Sequence, residues 1–269
     1  MNIQNILTEI EKTDPEVYER MDSRRGAMQS FLRIGGKLAL AAIPIALGGM
    51  FKKAYGQSAP NIVAVLNYAL TLEYLEAEFY TMGAASGVVP AGTPGVGAIN
   101  TIRDHENAHV SFLKTAIASL GGQAVAKPTF DFTAGGAFGN VFTNYDTFLA
   151  VAQTFEDTGV RAYKGRAGEL MGNNDVLTAA LQIHSVEARH ASHIRQMRKA
   201  RGANVKPWIT GKDTGGIGAA VQASYNGEEL TTQAGIDIAA IVNANAASES
   251  FDEPLTAAQV LAIVDPFIV

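Results

Sequence analysis

Asn67–Tyr80 reads NYALTLEYLEAEFY, and Ala150–Tyr163 reads AVAQTFEDTGVRAY. Laid over one another, Ala69/Ala152, Thr71/Thr154, Glu73/Glu156 and Tyr80/Tyr163 coincide, so Glu-x6-Tyr is written twice. A second motif follows each copy. Glu106-Asn107-Ala108-His109 begins 33 residues after Glu73, and Glu187-Ala188-Arg189-His190 begins 31 residues after Glu156. The order A, B, A′, B′ is that of a duplicated helical pair. All four segments carry the spacing of a helix with one buried face, apolar or functional residues alternating three and four apart. The first seam is Leu66, Leu70, Glu73, Ala77, Tyr80, and the third is Leu149, Gln153, Glu156, Val160, Tyr163. The second is Ile102, Glu106, His109, Leu113, Ala116, Leu120, and the fourth is Ile183, Glu187, His190, Ile194, Met197. The carboxylates and imidazoles therefore sit on the faces their own helices bury.

Four buried carboxylates and two imidazoles would be severely destabilising unless neutralised, because an unpaired buried charge costs several kcal/mol or more. Two divalent cations balance four glutamates. Glu and Glu-x-x-His from paired helices form the ligand set of dinuclear carboxylate bundles, and a spacing of three puts Glu and His about 60° apart on one face. The expected metal ligands are Glu73, Glu106, His109, Glu156, Glu187 and His190, holding two Fe ions (or Mn). Imidazole and carboxylate suit either metal. Tyr80 and Tyr163, two turns beyond Glu73 and Glu156, are candidate catalytic residues, hydrogen-bonding a ligand carboxylate or acting as redox-active phenols. Glu76 lies about 60° from the seam and rivals Glu73, whereas Glu78 lies about 140° away, toward solvent. His105 and His184 are read as solvent-facing, and His193, one turn past His190, as near the site or its entrance. Asp104 and Asp157 flank ligands and could orient an imidazole.

Glu73, Glu106-x-x-His109, Glu156 and Glu187-x-x-His190 resemble the ferritin-like superfamily, with the rubrerythrin and bacterioferritin ligand pattern. With the leader described below, LNYALTLEYLEAEFY is most similar to exported bacterial ferritin-like proteins related to plant desiccation-related proteins. The resemblance spans roughly residues 60–201. It implies an all-α four-helix bundle with a long crossover between helices two and three, and a di-iron centre bridged by Glu106 and Glu187. It does not single out a reaction. Ferroxidase-like or peroxidase-like chemistry with O2 or hydrogen peroxide leads, and iron binding or a structural, stress-protective role without turnover is the alternative.

The connections agree. Gly121–Thr143 is long enough to span a ~38 Å helix in extended form, so helices two and three should run parallel. Residues 83–97 (GAASGVVPAGTPGVG) read as a loop, and Gly172-Asn173-Asn174 as a short break. Beyond Gly202, Glu228–Asn243 and Pro254–Ile263 read as short helices in a tail packing over the bundle. It lacks the fifth helix typical of cage ferritins. Residues 1–56 form a leader or N-terminal helices, 57–201 the bundle and 202–269 the extension.

In the leader, Arg24-Arg25 precedes Leu38–Met50, 13 residues without charge, too short for the ~20 of a membrane span and right for an export signal. It resembles a twin-arginine signal, although five residues separate Ser23-Arg24-Arg25 from Phe31-Leu32-Arg33. The expected location is exported, in the periplasm or cell envelope. Membrane anchoring through an uncut leader and a homo-oligomer both stay open.

The 269-residue composition excludes other classes. It holds 17% charged and 47% apolar residues, enough to bury a core. A net charge of −5 offers no basic field, so nucleic acid is not an expected partner. Zero cysteines remove thiolate metal sites, disulfides and any rubredoxin-type relay, so electrons must come from an external donor.

Overall fold

In the computed structural model, residues 59–269 are described, with side chains from Ile62 onward. The leader expectations for residues 1–56 lie outside that range. Four long helices come first: α1 (Ala59–Ser86), α2 (Pro94–Ser119), α3 (Tyr145–Ala167) and α4 (Asn174–Ala200). Each start has a local cause. Pro94 stands in the first turn of α2, while Asn144 and Asn173 cap α3 and α4 by accepting from the backbone N–H of Thr147 and Val176. The loop expected over residues 83–97 is shorter, because α1 continues through Ser86 and Pro94 already begins α2.

Helix directions follow from which residues meet. Glu73 and Tyr80 of α1 bond to Tyr163 and Glu156 of α3, so those helices are antiparallel, and Glu73 beside His109 joins α1 to α2 after a short turn. Gln153 meets Arg198, and Val160 meets His184, which makes α3 and α4 antiparallel. Helices α2 and α3 are therefore parallel, and residues 120–144 carry the crossover. Phe132 and Val141 bury it against Phe79 and Phe148, the latter two rings stacked 4.8 Å apart.

The apolar core comes in two blocks. One holds Phe79, Tyr80, Ile102, Phe148, Phe155 and Ile194; the other holds Leu66, Leu70, Leu113, Ile117, Tyr163 and Ile183. The polar layer that holds all six expected ligands lies between them along each helix, with an apolar block on either side.

Residues 202–269 pack on this bundle. The expected helix over Glu228–Asn243 is replaced by a hairpin of β1 (Thr232–Gln233) and β2 (Ile236–Asp237), then a 3₁₀ turn over Ile238–Ala240. Ala234 and Gly235 have φ of 51° and 81°, the backbone of a two-residue hairpin turn. Glu228 is meanwhile held by Arg161 and by the Glu253 N–H, which fixes the chain before the strand. A short α5 (Ala244–Glu249) follows, capped by Asn243. The last helix, α6 (Ala257–Val264), begins after Pro254, where Thr256 and Gln259 form a capping box. The chain just beyond it locks the crossover: Asp131 N–H donates to the Phe267 carbonyl and Val269 N–H to that of Thr129. Among the described residues, no helix is long and apolar enough to cross a membrane.

Candidate metal centre

Glu73, Glu106, Glu156 and Glu187 each have no exposed surface, His190 is buried, and the His109 side chain is 12% exposed. The structure brings all six together in two overlapping groups. One is Glu73, Glu106, His109 and Glu187; the other is Glu106, Glu156, Glu187 and His190. In each, one oxygen or nitrogen per residue lies within 4.8 Å of all the others. Glu106 and Glu187 belong to both.

Both imidazoles turn Nδ1 inward. His109 Nδ1 lies 3.1 Å from Glu73 Oε2, 3.0 Å from Glu106 Oε2 and 3.4 Å from Glu187 Oε1. His190 Nδ1 lies 2.8 Å from Glu106 Oε1 and 3.3 Å from Glu156 Oε2, without the alignment of a hydrogen bond. Five buried atoms of the cluster have no hydrogen-bond partner: Glu106 Oε1, Glu156 Oε2, both carboxylate oxygens of Glu187, and His190 Nδ1. Buried polar atoms of folded proteins are nearly always satisfied, so five converging orphans point to a missing partner. Among the described residues no Lys or Arg pairs with these four glutamates. A pair of divalent cations fits that donor set, having the charge and the appetite for oxygen and imidazole nitrogen that the cluster lacks.

The electrostatics carry the same message. Burial first, then repulsion from neighbouring glutamates, pushes the Glu106 and Glu187 carboxyls well above their ordinary value. Burial also raises Glu73, but His109 beside it, with hydrogen bonds from Tyr163 and Glu106, holds Glu73 below its ordinary value. Burial lowers His109, and Glu73 more than reverses that.

The tyrosines are exchanged between the repeats. Tyr80 of α1 donates to Glu156 Oε1 of α3 at 2.5 Å, and Tyr163 of α3 donates to Glu73 Oε1 of α1. Burial and these carboxylates raise both phenols well above their ordinary value, so the hydroxyls keep their protons and act as donors. Each fixes one oxygen of a non-shared glutamate; the other oxygen of Glu156 has no hydrogen-bond partner, and that of Glu73 faces His109 Nδ1.

Residues 61–200, just over half of the chain, match the family profile of the ferritin-like domain. The chain belongs to the ferritin-like family. No curated protein is significantly similar to it.

This ferritin-like centre departs from the sequence reading at several side chains. Glu76, weighed as a rival to Glu73, is also buried; it lies beside Gly159 rather than in either ligand group, and burial with repulsion from Glu156 and Glu73 pushes its carboxyl well above its ordinary value. Glu78 pairs with Lys127 of the crossover. His105 is exposed, yet its Nδ1 lies 2.9 Å from His190 Nε2, so it braces that ring from outside. His184 is half-buried with Nδ1 3.0 Å from the Val160 carbonyl, because α4 packs on α3 there. Neither flanking aspartate orients an imidazole. Asp104 faces solvent and pairs with Arg103, while Asp157 is held by Arg195 and Tyr225. Gly159 escaped notice in the sequence. A Cβ there would stand 2.9 Å from Glu187 Oε2 and 3.2 Å from Glu76 Oε1, so this glycine makes room for the cluster. The available signal was a glycine inside a helix, where it costs up to ~1 kcal/mol against alanine and wants a reason.

Proposed function

We propose that Glu73, Glu106, His109, Glu156, Glu187 and His190 hold two iron (or manganese) ions, and that the centre is an oxidoreductase site for O2 or hydrogen peroxide. The observation that carries this reading is the set of five unpartnered buried atoms between two apolar blocks. Two adjacent redox metals, when bound, supply the two electrons that reduce one bound oxidant. The protein's part is to place and hold. Glu106 and Glu187, each reaching both groups, would keep the metals together. Tyr80 and Tyr163 would keep Glu156 and Glu73 from turning away. The apolar blocks exclude bulk water, which strengthens every charge interaction inside. Six side chains, two of them shared, leave too few donors to close both coordination spheres unless every carboxylate binds through both oxygens, which favours an open position. With no cysteine in the chain, the reductant comes from another molecule. We further propose, from Arg24-Arg25 and Leu38–Met50, that the protein works outside the cytoplasm.

Metal analysis after anaerobic loading tests the ligand set. About two metals per chain are expected, with Glu106→Ala and Glu187→Ala each losing the paired centre. Stoichiometry near zero in the wild type would refute it. Stopped-flow oxidation of the ferrous protein by O2 and by peroxide tests turnover. Rates no faster than those of free ferrous iron would leave metal binding without catalysis.

A further inference from the structure

Beside the buried cluster, α2 and α4 diverge. The first half of α2 and the second half of α4 wall a cleft of about 740 Å³, open to solvent, whose lining includes His190. This is within the ~300–1,000 Å³ range of small-molecule sites. The opening has a sequence cause: α2 presents Gly95, Gly97 and Ala98 to it, and a Cβ at Gly97 would meet nothing within 4 Å. The lining divides chemically. Ile102, Val186 and Met197 give an apolar surface, of which Ile102 is 3% exposed. His105, Arg189 and His193 supply the charged and hydrogen-bonding groups. No acidic residue lines the cleft, in a chain of net charge −5. Arg189 is exposed and has no ion-pair partner among the described residues, so its guanidinium is free for a ligand. His105 spans from this lining to the outer nitrogen of His190, 2.9 Å away.

We propose that the cleft binds a small organic monocarboxylate with an apolar body, its carboxylate on Arg189 and His193 and its body along Ile102 and Met197. A guanidinium fork matches a carboxylate in geometry as well as charge. An apolar floor under one cationic rim selects an amphipathic anion over a bare inorganic one. The ligand would lie one imidazole, His105, away from His190. Such a ligand would sit beside the centre, and this adjacency alone rests on the metal reading above.

Octanoate is the probe, with 1-octanol as its uncharged counterpart, titrated by calorimetry into the chelated full-length protein. One saturable octanoate site is expected, bound at least ten-fold more tightly than octanol. Arg189→Gln, a change at an exposed position, should weaken octanoate about ten-fold. Gly97→Leu puts a side chain into the open space and favours the helix, so it should stay folded and lose binding altogether. Absence of a saturable site, equal affinity for octanol, or unchanged affinity in both variants would overturn the proposal. Metal content of the same preparation keeps the two readings apart. Octanoate binding to a protein that takes up no metal would retain the cleft and sink the centre, and the reverse result would do the opposite.

Discussion

Removing the metals should make the stability of this protein fall steeply as the pH rises. Glu76, Glu106 and Glu187 all sit above their ordinary carboxyl value of 4.5, through burial first and neighbouring glutamates second. A carboxyl with a higher pKa folded than unfolded keeps a proton that the unfolded chain releases. Its contribution to stability is complete below the unfolded value and is lost as the pH climbs toward the folded one. His109, raised overall by Glu73 against its burial, acts in the same direction. Glu73, held below its ordinary value, contributes stability lost only on acidification below about pH 4.5, outside the window of interest. Each carboxyl that keeps its proton in the folded chain contributes up to about 1.4 kcal/mol per pH unit, beginning above the unfolded value near pH 4.5. At ~2–4 °C per kcal/mol, each such proton should lower the melting temperature of the chelated protein by about 3–6 °C per pH unit. Bound cations displace the protons of Glu106 and Glu187, which belong to both ligand groups, so the loaded protein should have a much shallower slope. Glu228, pushed up to about 7 by burial against the pull of Arg161, titrates in both forms and cancels in the difference. Thermal melts followed by circular dichroism, with chelator and with Mn(II), read the result. Glu187→Gln should make the slope shallower. A chelated protein whose melting temperature is flat or rising across this window would refute the account of a buried, mutually repelling cluster.

Gly159→Ala should leave the chelated protein as stable or up to ~1 kcal/mol more so, because alanine favours the helix, while weakening metal affinity about ten-fold or more by displacing Glu187; calorimetric metal titration checks both. Arg161, buried on α3, bonds the carbonyls of Ser224, Asn226 and Glu253 and pairs with Glu228, so Arg161→Met should cost about 3–5 kcal/mol by leaving Glu228 buried and unpaired. Adding Glu228→Gln should recover part of that loss in denaturant unfolding. Replacing Arg24 and Arg25 with Lys should hold the protein in the cytoplasm, and unchanged fractionation would exclude the twin-arginine route.

The duplicated motif carried the six cluster residues, the four helices and the direction of α3 in the sequence itself. A helix turns 100° per residue, so spacings of three and four assign a side chain to a face, and four charged faces buried together demand one shared core. The 23 residues of Gly121–Thr143 made the crossover legible in the same way, through chain length alone. Periodicity does not say which atom meets which across a helix pair, because that depends on how far one helix slides along another. Only the assembled bundle exchanges Tyr80 and Tyr163 between the repeats, seats Glu73 on His109 while leaving Glu76 beside Gly159, and rests His105 against a ring 85 positions away. The tail shows the limit most plainly. Glu228–Asn243 has the local look of a helix, but Arg161 captures Glu228 from across the structure and the positive φ of Ala234 and Gly235 turns the chain back into a hairpin. A buried ion pair with α3 outweighs a weak local preference, and no window of neighbouring residues contains that partner.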